Sequence, residues 1–246
     1  MITMKKRWLF LSFIAMCLLC EIKIYAKDSL NYVNTVKEEH TESPLLKIDL
    51  TVPGLSNTSF PELEKDINND ILHKVNSKIE EVTHESEQYY EAFMASHSKE
   101  DQFIPLEVLV TYDIKKENAD VLSFELTLFK SFLSAQTEEY FYNIDLTTGK
   151  MLTLEDFFGP TNKEIINHQI IQQIAQREKH ENQLFFHYEN EFQSISDHQK
   201  FYLNEQNQIV IVFDKYDIAP GYMGFPEFIV DQETTSNELK WSLDQL

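Results

Sequence analysis

Between Leu45 and Val52, in LLKIDLTV, apolar and polar residues alternate with the period of a strand that buries one face, and Pro53-Gly54 is expected to end it. The period then lengthens. Leu63, Ile67, Ile71, Val75, Ile79 and Val82 recur every three or four residues, which predicts a long helix with one apolar face over residues 59–96. Ser59 and Glu62 have the spacing of a capping box, and Pro61 falls in the first turn, where a missing N–H does no harm. Alternation returns in PLEVLVTYDI (105–114), VLSFELTLFKSFL (121–133) and EEYFYNIDL (138–146), rich in β-branched and aromatic residues, which predict successive antiparallel strands with one buried face. TTGK then supplies a turn, and MLTLEDFFG a short ordered segment ending at Gly159. A second helix is predicted over TNKEIINHQIIQQIAQREK: Thr161 and Glu164 are spaced as a capping box, and Ile165, Ile166, Ile170, Ile171 and Ile174 give it an apolar side. KFYLNEQNQIVIVFDKY reads as two strands joined through NEQNQ. Strands mixed with two separated helices, without strict βαβ alternation or internal repeats, predict one α+β domain: a mainly antiparallel sheet packed with two principal helices.

The N-terminus obeys different rules. A basic cluster, Lys5-Lys6-Arg7, precedes thirteen apolar-biased residues from Trp8 to Cys20, and a small residue follows at Ala26. The run is shorter than the roughly 20 residues that span a bilayer as a helix, so residues 1–26 read as a secretory signal cleaved near Ala26. An uncleaved anchor and lipid attachment at Cys20 are the alternatives; Glu21 and Lys23 weigh against the first, and Leu19 against the second. Export is the expectation. Residues 27–44, polar and without sustained periodicity, read as a linker, residues 45–231 as the folded domain and 232–246 as a tail.

Both cysteines, Cys17 and Cys20, lie in the signal, so the mature chain is expected to have neither disulfides, thiolate metal sites nor a cysteine nucleophile. A domain of this length is stable without them. The chain has 21 basic and 41 acidic residues, and without its first 26 residues the balance is 17 against 40, a net charge of −23. Such a surface repels phosphate backbones, which disfavours nucleic acid, and speeds encounter with a basic protein. Chemistry is sparse. There is no glycine-rich phosphate loop, no H-E-x-x-H and no G-x-S-x-G, and the eight histidines lack ligand-type pairing apart from the wide His180–His187 interval. No catalytic residue, metal site or cofactor is expected, and no enzyme activity.

IAPGYMGFPEF (218–228) stands out because it holds two of the five glycines and two of the seven prolines. Gly221 and Gly224 permit backbone angles closed to other residues, while Pro220 and Pro226 limit the loop's freedom. Two readings follow: Tyr222, Met223 and Phe225 are presented as rigid anchors of the kind that dominate interfaces, or a tight turn folds them back onto the sheet.

FYLNEQNQIVIVFDKYDIAPGYMGFPEFIV resembles the C-terminal part of the extracellular domain of the lysozyme-sensing anti-sigma-V factors. LTVPGLSNTSFPELEKDINNDI is similar to the start of that ectodomain, and YFYNIDLTTGKMLTLEDFF to its central strand, turn and short helix, so the likeness covers roughly residues 45–231. The same module precedes the catalytic domain of a peptidoglycan deacetylase. The resemblance implies an α+β domain that binds lysozyme through the loop around APGYMG, with Pro220, Gly221, Tyr222 and Met223 at the contact and Ser123, in VLSFEL, on the same surface. It departs from the family in two ways: only seven residues precede the hydrophobic run, so no sigma-factor binding is expected, and no catalytic half follows. The readings are a lysozyme-binding envelope protein that senses or sequesters the enzyme, a cell-wall-binding module, and a membrane-anchored signalling protein.

Overall fold

Alternation does build a sheet, and the helix between its second and third strands decides its topology. The computed structural model describes residues 31–96, 102–132, 134–181, 183–187 and 191–231. Six strands, β1 (Val33–Glu42), β2 (Leu46–Leu55), β3 (Leu106–Glu117), β4 (Val121–Phe132), β5 (Ser134–Asp145) and β6 (Lys150–Met151), lie side by side in chain order. Every neighbouring pair is antiparallel except β2 and β3, whose parallel pairing is made possible by the crossover helix α1 (Pro61–Ser96). The apolar stripe of α1, with Ile67, Ile71, Val75 and Val82 buried, packs on Leu50, Val52, Val108, Val110, Leu122, Phe124, Leu126 and Ile144. Each such side chain contributes roughly 1.5–3 kcal/mol on burial. Phe124 and Tyr142 stack at 4.8 Å within this core.

Charge fixes the helix against the far side of the sheet. Lys78 reaches Glu138 of β5 at 2.6 Å, and Lys130 of β4 reaches Glu85 at 2.9 Å and also pairs with Glu81. Both lysines are almost wholly buried. Asp70 accepts the Tyr142 hydroxyl hydrogen at 2.7 Å and pairs with Lys74.

Several expectations change. Val33–Glu42, read above as linker, is strand β1; only Val33 is buried, so its sequence carries no alternation to see. Pro53-Gly54 does not end β2, which runs on to Leu55. Pro53 faces Thr35 beside the bulge between Thr35 and Lys37, where a missing ladder N–H is tolerated. At the start of α1 the hydrogen bonds use Thr58, whose N–H donates to Glu64 Oε1 at 2.6 Å, in place of the expected Ser59–Glu62 pair. The signal reading of residues 1–26 and the tail at 232–246 lie outside the described residues.

Beyond β6, α2 (Leu154–Phe158), α3 (Asn162–Glu181) and a three-stranded antiparallel sheet of β7 (Lys200–Leu203), β8 (Ile209–Val212) and β9 (Glu227–Val230) enclose a second core. Ile166 and Ile170 of α3 meet Phe201, Ile211, Phe213 and Phe228 there. β9, a four-residue strand directly after the glycine–proline loop, was absent from the sequence reading. Its edge is closed by α3: Gln173 donates to Ile229 O at 2.8 Å, and Gln169 exchanges two 2.9 Å bonds with Asp231.

Side chains join the two sheets. Asn143 Nδ2 donates to Phe201 O at 2.8 Å, Leu203 N donates to Ser123 Oγ at 3.1 Å, and Ser123 Oγ donates to Asn143 Oδ1 at 2.7 Å. Around this closed circuit Phe141 stacks on Tyr202 at 5.6 Å, and buried Lys116 donates to Asn207 in the β7–β8 turn.

Candidate partner-binding site

The loop between β8 and β9 begins and ends on one hydrogen bond, Phe213 N to Pro226 O at 3.0 Å. Inside it, Asp214 N donates to Asp217 Oδ2 at 3.1 Å, and Asp217 N returns a bond to Asp214 O. That tight turn puts Tyr216 at φ 76°, a left-handed conformation that is costly for an aromatic residue. Ile218 and Ala219 then turn inward, and Ile218 O accepts a bond from Phe186 N at 2.8 Å, anchoring the loop's middle to the second core.

From Pro220 the chain makes a single 3-10 turn, Gly221–Met223, with Met223 N donating to Pro220 O at 2.9 Å. Gly224, at φ 71°, closes it. Gly221 has a different reason to be glycine. An added Cβ would lie 2.2 Å from Cζ of Tyr216, so the glycine backbone rests directly against that ring.

The loop's large side chains divide between the core and solvent. Met223 folds back and packs against the second core, and Phe225 is half-buried. Tyr222 is 71% exposed and Tyr216 65% exposed. Two tyrosines on a doubly tied loop therefore face solvent, with Pro220 half-buried between the anchored and exposed parts. Tyr216 was missed as a site residue because nothing in its spacing betrays a positive φ.

Asp214 and Asp217 flank Tyr216 along the loop. Partial burial of the Asp217 carboxyl raises its pKa, and Asp214 accepts Lys200 at 2.5 Å; on β9, exposed Glu227 accepts the Tyr202 hydroxyl hydrogen at 3.0 Å. Lys215 lies over the Tyr216 ring at 5.5 Å.

Ser123 does not join this surface. It is 0% exposed and both of its hydrogen bonds are made in the joint between the sheets. Among the described residues no three His, Asp or Glu side chains come together as a metal site, and no helix is long and apolar enough to cross a membrane.

Comparison with known proteins divides the chain along the same line as its two sheets. Residues 39–143 match the family described as deacetylase PdaC, and residues 155–233 match a protein family of unknown function, DUF3298. A DUF3298 protein from Bacteroides fragilis shares the fold at a TM-score of 0.61 with 14% identity, covering 83% of this chain and 92% of its own. A second, from Pseudomonas aeruginosa, aligns at 0.50 with 14% identity, covering 82% and 90%. The anti-sigma-V factor RsiV of Bacillus subtilis is 31% identical over 209 residues, covering 83% of this chain and 68% of that protein. With the joint between the sheets and the β8–β9 loop inside the two matched domains, and 31% identity over 68% of that protein, the chain belongs to the RsiV family of anti-sigma-V factors and carries its ectodomain module.

Proposed function

We propose that the chain is an exported envelope protein that captures a basic protein of the lysozyme type through the β8–β9 loop. The observation that carries this reading is the pair Tyr216 and Tyr222, exposed on a loop whose ends and middle are tied to the second core. Aromatic side chains held in place before binding lose little entropy on association, which is why such residues dominate interfaces. Pro220 and Gly221 set the position of Tyr222, and Met223 is the root of the turn. The net charge of −23 without the first 26 residues supports a cationic partner, and membership of the RsiV family supports lysozyme as that partner.

Titration calorimetry of the chain against a basic animal lysozyme tests this, at low and at moderate salt. A complex is expected that weakens with salt and loses at least tenfold in affinity in Tyr222→Ala. Equal affinity of parent and variant would remove the loop from the contact. Absence of heat at both salts, with sedimentation of the chain on purified cell wall, would replace the reading with wall binding.

A further inference from the structure

The two edges of the large sheet are built in opposite ways. β1 carries Lys37, Glu38, Glu39 and His40 in succession and is broken by a bulge, devices that discourage a further strand. β5 has no bulge: its register with β4 runs without a shift from Phe132↔Ser134 to Val121↔Asp145. Its outer neighbour, β6, covers only Ile144 and Asp145. Leu152 N donates to Asn143 O at 2.7 Å, so the odd-numbered residues of β5 turn their backbone groups away from β4. Among the described residues, no strand or side chain bonds to the outward N–H and C=O of Thr137, Glu139 and Phe141.

A groove of about 410 Å³ runs beside this edge. Asp70 and Lys74 of α1 form one wall, and His198, Gln199 and Lys200 the other. Glu139 lies in it half-buried and in no ion pair among the described residues. Burial, with Glu125, Asp214 and Glu227 nearby and only Lys200 opposing them, pushes its carboxyl up to about 7. The groove therefore offers a row of free backbone groups and, beside Lys200, a carboxyl group in no ion pair among the described residues.

We propose that the β5 edge is a docking site for an extended peptide segment bearing lysine or arginine, which adds to the sheet as a strand between α1 and residues 198–200. Main-chain bonds to Thr137, Glu139 and Phe141 would hold the strand, and alternate side chains would give it specificity. A basic side chain on the Glu139 side would pair with its carboxylate. A second copy of the chain fits poorly, because antiparallel pairing of β5 with itself about Glu139, the middle of the open edge, sets the Glu138 and Glu139 carboxylates of both copies close together. This site uses neither Tyr216 nor Tyr222.

The test is fluorescence anisotropy of a labelled nine-residue peptide alternating lysine with valine or threonine, titrated with the full chain. Saturable binding is expected. It should weaken about tenfold in Glu139→Gln and with a glutamate-for-lysine peptide, and stay unchanged in Tyr222→Ala. N-methylation of every second peptide nitrogen should abolish binding in one register and spare it in the other, a readout that needs no protein variant. Exchange of the Thr137, Glu139 and Phe141 amide hydrogens should slow in the complex. Indifference to N-methylation register would reduce the interaction to surface charge, and no saturation at millimolar peptide would overturn the site. Concentration-dependent dimers lost in Glu139→Pro would give the edge to a second copy and equally overturn the proposal.

Discussion

Tyr216 and Gly221 form one device. The ring lies where a Cβ on residue 221 would be, and the backbone of Tyr216 is held in a region that costs roughly 1–3 kcal/mol for a non-glycine residue. A strained, exposed aromatic has little to contribute to folding. Tyr216→Gly relieves the strain while loosening the unfolded chain, and these effects oppose each other. The melting temperature is therefore expected to stay within about 3 °C of the parent, while lysozyme affinity falls at least tenfold. A large loss of stability with affinity intact would make the ring a structural prop. The sequence displayed the glycines and prolines of this loop but not which aromatic faces outward. Met223 and Tyr222 are adjacent and both large, and only the anchoring of Ile218 and Ala219 decides that the first turns in and the second out.

At the scale of elements, α1 shows what sequence period reveals and what it leaves hidden. Its apolar stripe was legible because burial on one face repeats every three or four residues. Its ion pairs were not, since Lys130 sits on β4, 45 residues from Glu85, and no local pattern links them. β1 stayed hidden for a related reason: an edge strand with one buried side chain shows no alternation. The ion pairs make the helix sensitive to acid. Burial alone would raise the Glu81 carboxyl, but bonds from Lys130 and Lys78 outweigh it and hold it below the usual range. Glu138 is likewise lowered against its burial, by Lys78 and the Tyr140 hydroxyl. Carboxyls lowered in the folded state contribute stability that is present above their unfolded value and lost as pH falls through the folded one. Thermal melts should therefore show stability falling below about pH 4.5. In Lys130→Met the melting temperature at pH 7 should drop by roughly 3–6 °C and the acid dependence should flatten. An unchanged acid limb would place the sensitive carboxylates elsewhere.

Across the whole molecule, two cores meet at a joint made of Ser123, Asn143, Phe201 and Leu203. The run VLSFEL showed that Ser123 lies on a strand, and its alternation puts it on the face opposite Phe124; only the arrival of β7 from 80 residues away shows what that face covers. Ser123→Ala would leave Leu203 N and Asn143 Oδ1 without a partner, at a cost of about 1–3 kcal/mol. Lower stability with lysozyme affinity unchanged below the melting range is the expected result; lost affinity at full stability would return Ser123 to the contact. The central claim, that the loop from Asp214 to Gly224 is where a basic partner docks, is tested most directly by amide hydrogen exchange with and without lysozyme. Slowed exchange concentrated in that loop, and absent from α1, is the expected result. A complex that leaves the loop's exchange unchanged while protecting another surface would contradict it.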